Sequence, residues 1–253
     1  MTIDSTKADI KISLTKLWRE AFGDTDEFIN SFFSLGFDSE RCMYTELDGE
    51  PRSALYWFDC TYNGRKIAYL YAIATQKAYR GRGLCQALME RTHEHLRSEG
   101  YDGAILVPAD KTLFAFYEKS GYKVCSFIKE FSCLASAKPV KLVKIDTLQY
   151  AKKRLSLLPA DSVIEDGAAL DFLSSYADFY MGEDFVIAVR EENGSLFGIE
   201  LLGNTDSAPS ILTSLGFEKG FFRCVGKDRP FAMYIPLTDR GHDVPEYFGL
   251  ALD

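Results

Sequence analysis

The sequence predicts an α+β fold in which a mixed sheet is flanked by helices, built as two successive units. Three observations carry this. First, Asp48-Gly49 and Asn63-Gly64 interrupt a stretch rich in β-branched and aromatic residues, and both dipeptides tolerate the positive φ of tight antiparallel turns. Second, a helical pattern separates the apolar runs "KIAYLYAIAT" (66–75) and "GAILVP" (103–108), which is the order of a right-handed crossover between parallel strands. Third, "GAILVPADKTLFAFYEKSGYKVCSF" lies over "GIELLGNTDSAPSILTSLGFEKGFF" at an offset of 95 residues, with Gly103/Gly198, Leu106/Leu201, Gly121/Gly216 and Phe127/Phe222 coinciding. Identity between these stretches is low. The shared order of strand, capped helix, glycine stop and strand is what suggests a repeat.

Taken in order, "ISLTKLWREAF" (12–22) places Ile12, Leu14, Leu17, Trp18 and Phe22 at helical spacing. A second helix follows, with Thr25 as N-cap and Gly36 as its stop. Strands are expected near 41–47, 52–62 and 65–75. A two-residue turn at Asn63-Gly64 pairs Phe58 with Tyr69 and Tyr56 with Tyr71, placing four aromatics on one sheet face. Plain core packing explains them at least as well as a pocket wall. A helix over 83–98 buries Leu84, Cys85, Leu88, Met89 and Leu96, with His95 near its C-terminal end as a dipole-assisted histidine. "GAILVP" is a buried strand. Asp110 caps the next helix, Gly121 ends it, and "YKVCSFIKEFSC" (122–133) forms one long strand. Residues 136–141 read as a linker. Beyond them come helices near 146–158 and 167–179, a hairpin at Asn193-Gly194, a helix in "SAPSILTSLGF" and two final strands.

The chain has 253 residues, enough for one large or two small domains, and 47% are hydrophobic, enough for a sizeable core. Its net charge of −8 repels phosphate backbones and anionic lipid on average, so nucleic acid and membrane surfaces are not expected partners. No signal-peptide pattern or membrane span is visible, and a cytoplasmic location is expected. The six cysteines are scattered without a C-x-x-C pair and only three histidines exist, so no metal site is expected.

Chemistry concentrates in "YRGRGLC" (79–85). A helix N-terminus offers unpaired N–H donors and partial positive charge, and glycines before it let a phosphate come close to the backbone. Arg80, Arg82 and Lys77 add cations to an otherwise acidic chain. A P-loop would need G-x-x-x-x-G-K-[ST], which is absent. In a dinucleotide turn Gly81-x-Gly83 would need a third small residue, where Gln86 stands, and the turn would open the sheet instead of following a meander.

This stretch resembles the [QR]-x-x-G-x-[GA] motif of the GNAT superfamily of acyl-CoA N-acyltransferases. Arg80 and Gly83 match, and Cys85 stands where Gly or Ala is usual. "FAFYEKSGY" (114–122) resembles the family's F-Y-E-K-x-G-F helix end, and strand, turn, crossover helix and this helix follow in the family's order. The resemblance covers roughly residues 10–133. It implies a GNAT acetyltransferase domain over 1–137, followed over 138–253 by a degenerate GNAT-like half or an accessory α+β domain. It also implies that acetyl-CoA is the co-substrate and an unidentified amine the acceptor. Backbone groups of Ile73, Ala74 and Thr75 would hold the pantetheine, and Arg80, Gly81, Arg82, Gly83, Leu84 and Cys85 the diphosphate. Tyr117 would be the acid that protonates the leaving thiolate. Seven residues before it the family often carries an Asn that contacts CoA; here Asp110 stands there, and helix capping is its simpler role.

The general base is unassigned. "KIAYLYAIAT" holds no carboxylate, while Glu46 and Asp59 lie on earlier strands where a solvated role suffices. After residue 140 there is no R-x-x-G-x-G turn, and Leu212 takes the place of Tyr117, so the second half is not expected to bind acyl-CoA. The leading function is acetyl transfer to an amine by direct attack. A CoA-binding sensor or scaffold without turnover is the alternative, and a nucleotide-dependent enzyme the third reading. The oligomeric state is not readable.

Overall fold

The computed structural model describes residues 3–136, 138–165 and 167–252, with side chains described from residue 10 onward. Residue 137, where the sequence reading placed the domain boundary, lies outside them. Both sequence-predicted hairpins form: β1 (Cys42–Leu47), β2 (Glu50–Tyr62) and β3 (Arg65–Thr75) are an antiparallel meander. Asp48, Gly49, Asn63 and Gly64 all have positive φ, as the two tight turns require. Register is as expected, with Tyr56 opposite Tyr71 and Phe58 opposite Tyr69. The helix α1 (Ile3–Phe22) starts well before the predicted residue 12, and α2 (Asp26–Ser31) is capped by Thr25. A π-helical turn, Phe32–Gly36, then ends the pair.

The helix α3 (Leu84–Ser98) crosses over so that β4 (Gly103–Leu106) pairs with β3 in parallel. Its deeply buried histidine is His93, which bonds the Tyr122 hydroxyl at 2.8 Å, whereas His95 sits half-buried with its ring edge on Trp57. Burial lowers the His93 pKa to about 4, so that ring is neutral. Leu84 and Cys85, expected on the same buried side, are only half-buried, with Cys85 packed against the cluster beneath α3.

After α4 (Lys111–Lys119) comes β5 (Lys123–Leu134), but β5 does not lie beside β4. The space between them is filled by β12 (Arg229–Pro236), antiparallel to both. Gly103 makes room for this insertion: a Cβ there would fall 2.1 Å from the Tyr234 hydroxyl. The second half supplies β6 (Val143–Ile145), α5 (Thr147–Leu155), β7 (Ile164–Glu165), α6 (Ala168–Leu173) and β8 (Asp178–Met181). These lead into β9 (Phe185–Glu192), β10 (Ser195–Gly203), α7 (Ala208–Leu215) and β11 (Lys219–Val225). β10, α7 and β11 have the strand–helix–strand order of β4, α4 and β5, with β10 and β11 parallel. The helix expected over 167–179 stops at Leu173. There the hydroxyls of Ser174 and Ser175 bond back to the carbonyls of Asp171 and Phe172, and the chain turns into β8.

The result is one twelve-stranded sheet, ordered β1-β2-β3-β4-β12-β5-β11-β10-β9-β8-β6, with β7 pairing to β2. The halves are interleaved at its centre, since β12 inserts into the first and β5 pairs with β11 of the second. One face carries a core shared by both halves, from Trp18, Phe32 and Phe58 to Tyr150, Phe172 and Phe248. The other carries one cluster under α3 and α4 and a second under α7. The predicted linker is tied down: the Val140 N–H donates to the Ser214 hydroxyl, which donates in turn to the Val140 carbonyl. No helix among the described residues is long and apolar enough to cross a membrane.

A buried charge cluster lies within the second half. Arg154 of α5 meets Glu200 of β10 at 2.6 Å and Glu165 of β7 at 2.8 Å, all nearly solvent-free. The hydroxyls of Tyr150 and Tyr247 also donate to Glu200. Two carboxylates share one guanidinium, and Glu165 has the fewer partners. Burial raises its pKa from 4.5 to about 7. For a carboxyl raised in the folded state, stability falls as pH rises from the unfolded to the folded pKa. His93 acts oppositely, costing stability as pH falls from 6.5 toward 4. Comparing variants isolates the first effect. Thermal melts at pH 5 and pH 8 should show that Glu165→Gln removes the alkaline loss, so that its Tm at pH 8, taken relative to pH 5, is higher than in the parent chain. An unchanged difference contradicts the assignment. Glu200→Gln should destabilise at both pH values, because it weakens the best-bonded partner of a buried cation.

Candidate functional site

The site begins where β3 and β4 part. Their pairing covers only Ile67–Tyr69 against Gly103–Ile105, yet β3 runs on to Thr75. β4 ends at Leu106, two residues before Pro108, which has no N–H to continue a ladder. Between the diverging strands opens a cavity of about 800 Å³, whose walls include Leu70–Ile73, Leu106–Asp110 and Tyr117. On its other edge β3 is bulged. Ala54 pairs with Ala74 and Tyr56 with Tyr71, so Leu55 alone opposes both Ala72 and Ile73. Ala72 sits at φ +48°, a conformation that costs a non-glycine residue energy and that concentrates at functional sites. A bulge takes backbone polar groups out of the ladder, here on the strand that walls the cavity.

Past the end of β3 lies the glycine turn. The Lys77 N–H donates to Glu20 Oε1 at 2.7 Å, and Arg80 Nε donates to the Thr75 carbonyl at 3.0 Å, fixing the turn to the strand. Gly81 and Gly83 have φ of +74° and +77°, and a Cβ on either would meet no atom within 4 Å. Backbone conformation requires these glycines, and the space beside them is open to a ligand. The first backbone bond of α3 runs from the Ala87 N–H to the Gly83 carbonyl, so the amides of 81–86 have no acceptor among the described residues. Arg80 and Arg82 are exposed, and no described carboxylate pairs with either. Arg82 stacks on Tyr79 at 4.9 Å, and Arg52 on the same ring at 4.8 Å. Free amides, unneutralised arginines and open space match the chemistry of a diphosphate.

Of the strand positions expected to meet pantetheine, Ile73 lines the cavity. The Ala74 carbonyl accepts from Ser53 Oγ at 2.9 Å, and Thr75 Oγ1 lies 2.9 Å from that same hydroxyl. Cys85 is half-buried with its thiol pushed up to about 11 by burial, so it is a neutral thiol. Tyr117, on α4, lines the cavity at 7% exposure. Burial, with lesser contributions from Cys85 and Asp110, raises its pKa, so the phenol keeps its proton. Asp110 caps α4, accepting from the Thr112 N–H at 2.7 Å and from the Thr112 hydroxyl, and these bonds hold its carboxyl below the usual range. Asp59 pairs with Arg41 at 3.2 Å and accepts from the Tyr101 hydroxyl, while Glu46 is exposed on β1. Neither reaches the cavity.

Sequence reasoning missed part of the wall. Asp24, between α1 and α2, lines the cavity, as do Arg223, Arg229 and Phe231 from the second half and Ala251 and Leu252 near its end. The Leu252 N–H bonds the Tyr69 hydroxyl at 3.3 Å. Asp24 had a visible signal, a carboxylate in a short interhelical loop among aromatics. The arginines had none, since only the insertion of β12 and the pairing of β11 with β5 bring them there. Among the described residues no cluster of three His, Cys, Asp or Glu could hold a metal.

Comparison with known proteins agrees with this geometry. Residues 2–125 match the model of the acetyltransferase (GNAT) domain. The N-terminal half of this chain is therefore a GNAT N-acetyltransferase domain. No curated protein matches the sequence. Among solved structures, the chain is similar to a probable N-acyltransferase of unknown function from Enterococcus faecalis V583, with TM-score 0.68 and 17% identity over 90% of this chain and 70% of that one. A putative acetyltransferase from Pyrococcus horikoshii matches at TM-score 0.63 and 19% identity, over 96% and 91% of the two chains. A tandem GNAT protein from the clavulanic acid biosynthesis pathway matches at TM-score 0.57 and 12% identity, over 91% and 96%. At these identities the likeness is one of fold, and it extends over both halves.

Proposed function

We propose that this chain transfers an acetyl group from acetyl-CoA to an amine by direct attack, without a covalent enzyme intermediate. The observation that carries the reading is the glycine turn, with its unbonded amides, two unpaired arginines and open space at the end of a strand that splays from its neighbour. Acetyl-CoA supplies the activated acyl group. The amides of residues 81–86, with Arg80 and Arg82, hold its diphosphate. Backbone groups of Ile73, Ala74 and Thr75 orient the pantetheine, and the bulge at Ala72-Ile73 offers an N–H to the carbonyl oxygen as charge develops there. The amine nitrogen bonds to the acyl carbon as the carbon–sulfur bond breaks. Tyr117 gives its proton to the departing sulfur, the amine loses one to water, and the phenol is reprotonated from solvent.

The second half, over 138–253, acts in this reading as a GNAT-like partner that walls the acceptor side and binds no acyl-CoA. It has no R-x-x-G-x-G turn, and Leu212 stands in place of Tyr117. The net charge of −8 supports the thioester and an amine as partners, with neither nucleic acid nor membrane involved, and the reading takes the enzyme as cytoplasmic.

The test is thiol release from acetyl-CoA across an amine panel, with acetylated product identified by mass. Amine-dependent release is expected. Tight CoA binding with no release above background would replace the enzyme by a CoA-binding sensor.

A further inference from the structure

Asp24 stands apart from the other carboxylates at the cavity. Asp110 is engaged in capping α4, and Glu118 is exposed beside Tyr117 on the same helix. Asp24 is half-buried, and its Oδ2 accepts from the Trp18 indole N–H at 2.7 Å. No described cation pairs with it; Arg19, five residues earlier, is bound to Asp26. It is a half-buried carboxylate on the cavity wall, held by the Trp18 N–H, and its surroundings there are aromatic: Trp18, Phe22, Phe28 and Tyr71 line the same space. Rings of this kind attract a cation through their faces while accepting an apolar body. The opposite wall carries Arg223 and Arg229, and both guanidiniums bond Glu130, which neutralises part of their charge.

The Asp24 carboxylate bonds Trp18, the Trp18 ring lies 5.7 Å from the Tyr71 ring, and Tyr71 precedes the bulge. Contacts thus run from Asp24 through Trp18 to Tyr71 on the strand that carries the bulge.

Resting on the acetyltransferase reading, we infer that Asp24 anchors a second cationic group of the acceptor, an ammonium or guanidinium that stays charged while another amine of the same molecule is acetylated. The acceptor class is a diamine-type molecule with an apolar or aromatic spacer. Asp24 is a specificity-determining residue, and Trp18 positions it.

Calorimetric titration of the CoA-loaded protein with 4-(aminomethyl)benzylamine and with benzylamine tests this directly, at low salt where the charge contact is least screened. The two probes differ by one aminomethyl group. The diamine is expected to bind at least about ten-fold tighter. Asp24→Asn should erase that preference and Asp24→Glu should keep most of it, while CoA affinity and circular dichroism verify the fold. Equal affinity of the parent chain for both probes, binding of neither, or a preference that survives Asp24→Asn overturns the inference. Acetyl transfer is assayed separately with the same probes. A preference that depends on Asp24 without any transfer supports the anchor and refutes the enzyme reading alone.

Discussion

Gly83→Arg is expected to abolish acetyl-CoA binding while leaving the chain folded. At φ +77° a side chain costs about 1–2 kcal/mol, because Cβ crowds the following carbonyl in the left-handed region. No protein atom lies within 4 Å of the new Cβ, so packing adds no penalty. The ligand loses far more. An arginine at the N-cap of α3 fills the approach to the amides that follow it. Losing two charge-assisted hydrogen bonds at about 1.5–3 kcal/mol each weakens binding by roughly 100-fold or more. Extra positive charge alone would strengthen the hold on an anion, so the two mechanisms predict opposite signs. Calorimetric titration with CoA decides between them, and affinity within a factor of about three of the parent would remove the turn from the binding site.

Tyr117→Phe is expected to leave CoA affinity unchanged and to slow turnover by roughly 10- to 1000-fold. The phenol is buried, its pKa is raised, and it lies on the cavity wall formed by α4. Its proton is therefore available at any working pH, and the loss should be uniform across the pH range of the assay. Phenylalanine preserves the ring packing against Phe116 and Tyr122, so stability should change little. Steady-state kinetics with a transferable amine, together with a CoA titration, separate the two quantities. An unchanged kcat would mean that the departing sulfur takes its proton from water.

Local chemistry made the first half legible. Asp-Gly and Asn-Gly dipeptides fix two-residue turns because both positions need positive φ, and the turn at Asn63-Gly64 in turn fixed the pairing of Tyr56 with Tyr71. The caps at Thr25 and Asp110 were readable for the same reason, since a short side-chain acceptor beside free amides is a local arrangement. Long-range pairing was not readable. Nothing in "RPFAMYIP" says that it will insert between strands more than a hundred residues earlier, and that insertion brings Arg229 and Phe231 to the cavity. The cluster of Arg154, Glu165 and Glu200 was invisible likewise, its members being spread over two strands and a helix. The glycine turn was legible because its chemistry is contiguous. Asp24 stands immediately before the predicted cap Thr25; its carboxylate is visible in the sequence, but its place on a cavity wall depends on Trp18 and on distant strands.

A crystal structure of the protein with acetyl-CoA tests the central claim most directly. The account predicts the diphosphate against the amides of residues 81–86, with Arg80 and Arg82 beside it, the pantetheine between β3 and β4, and the thioester sulfur within hydrogen-bonding reach of the Tyr117 hydroxyl. Acetyl-CoA bound elsewhere, or a turn whose amides face away from the diphosphate, would contradict it.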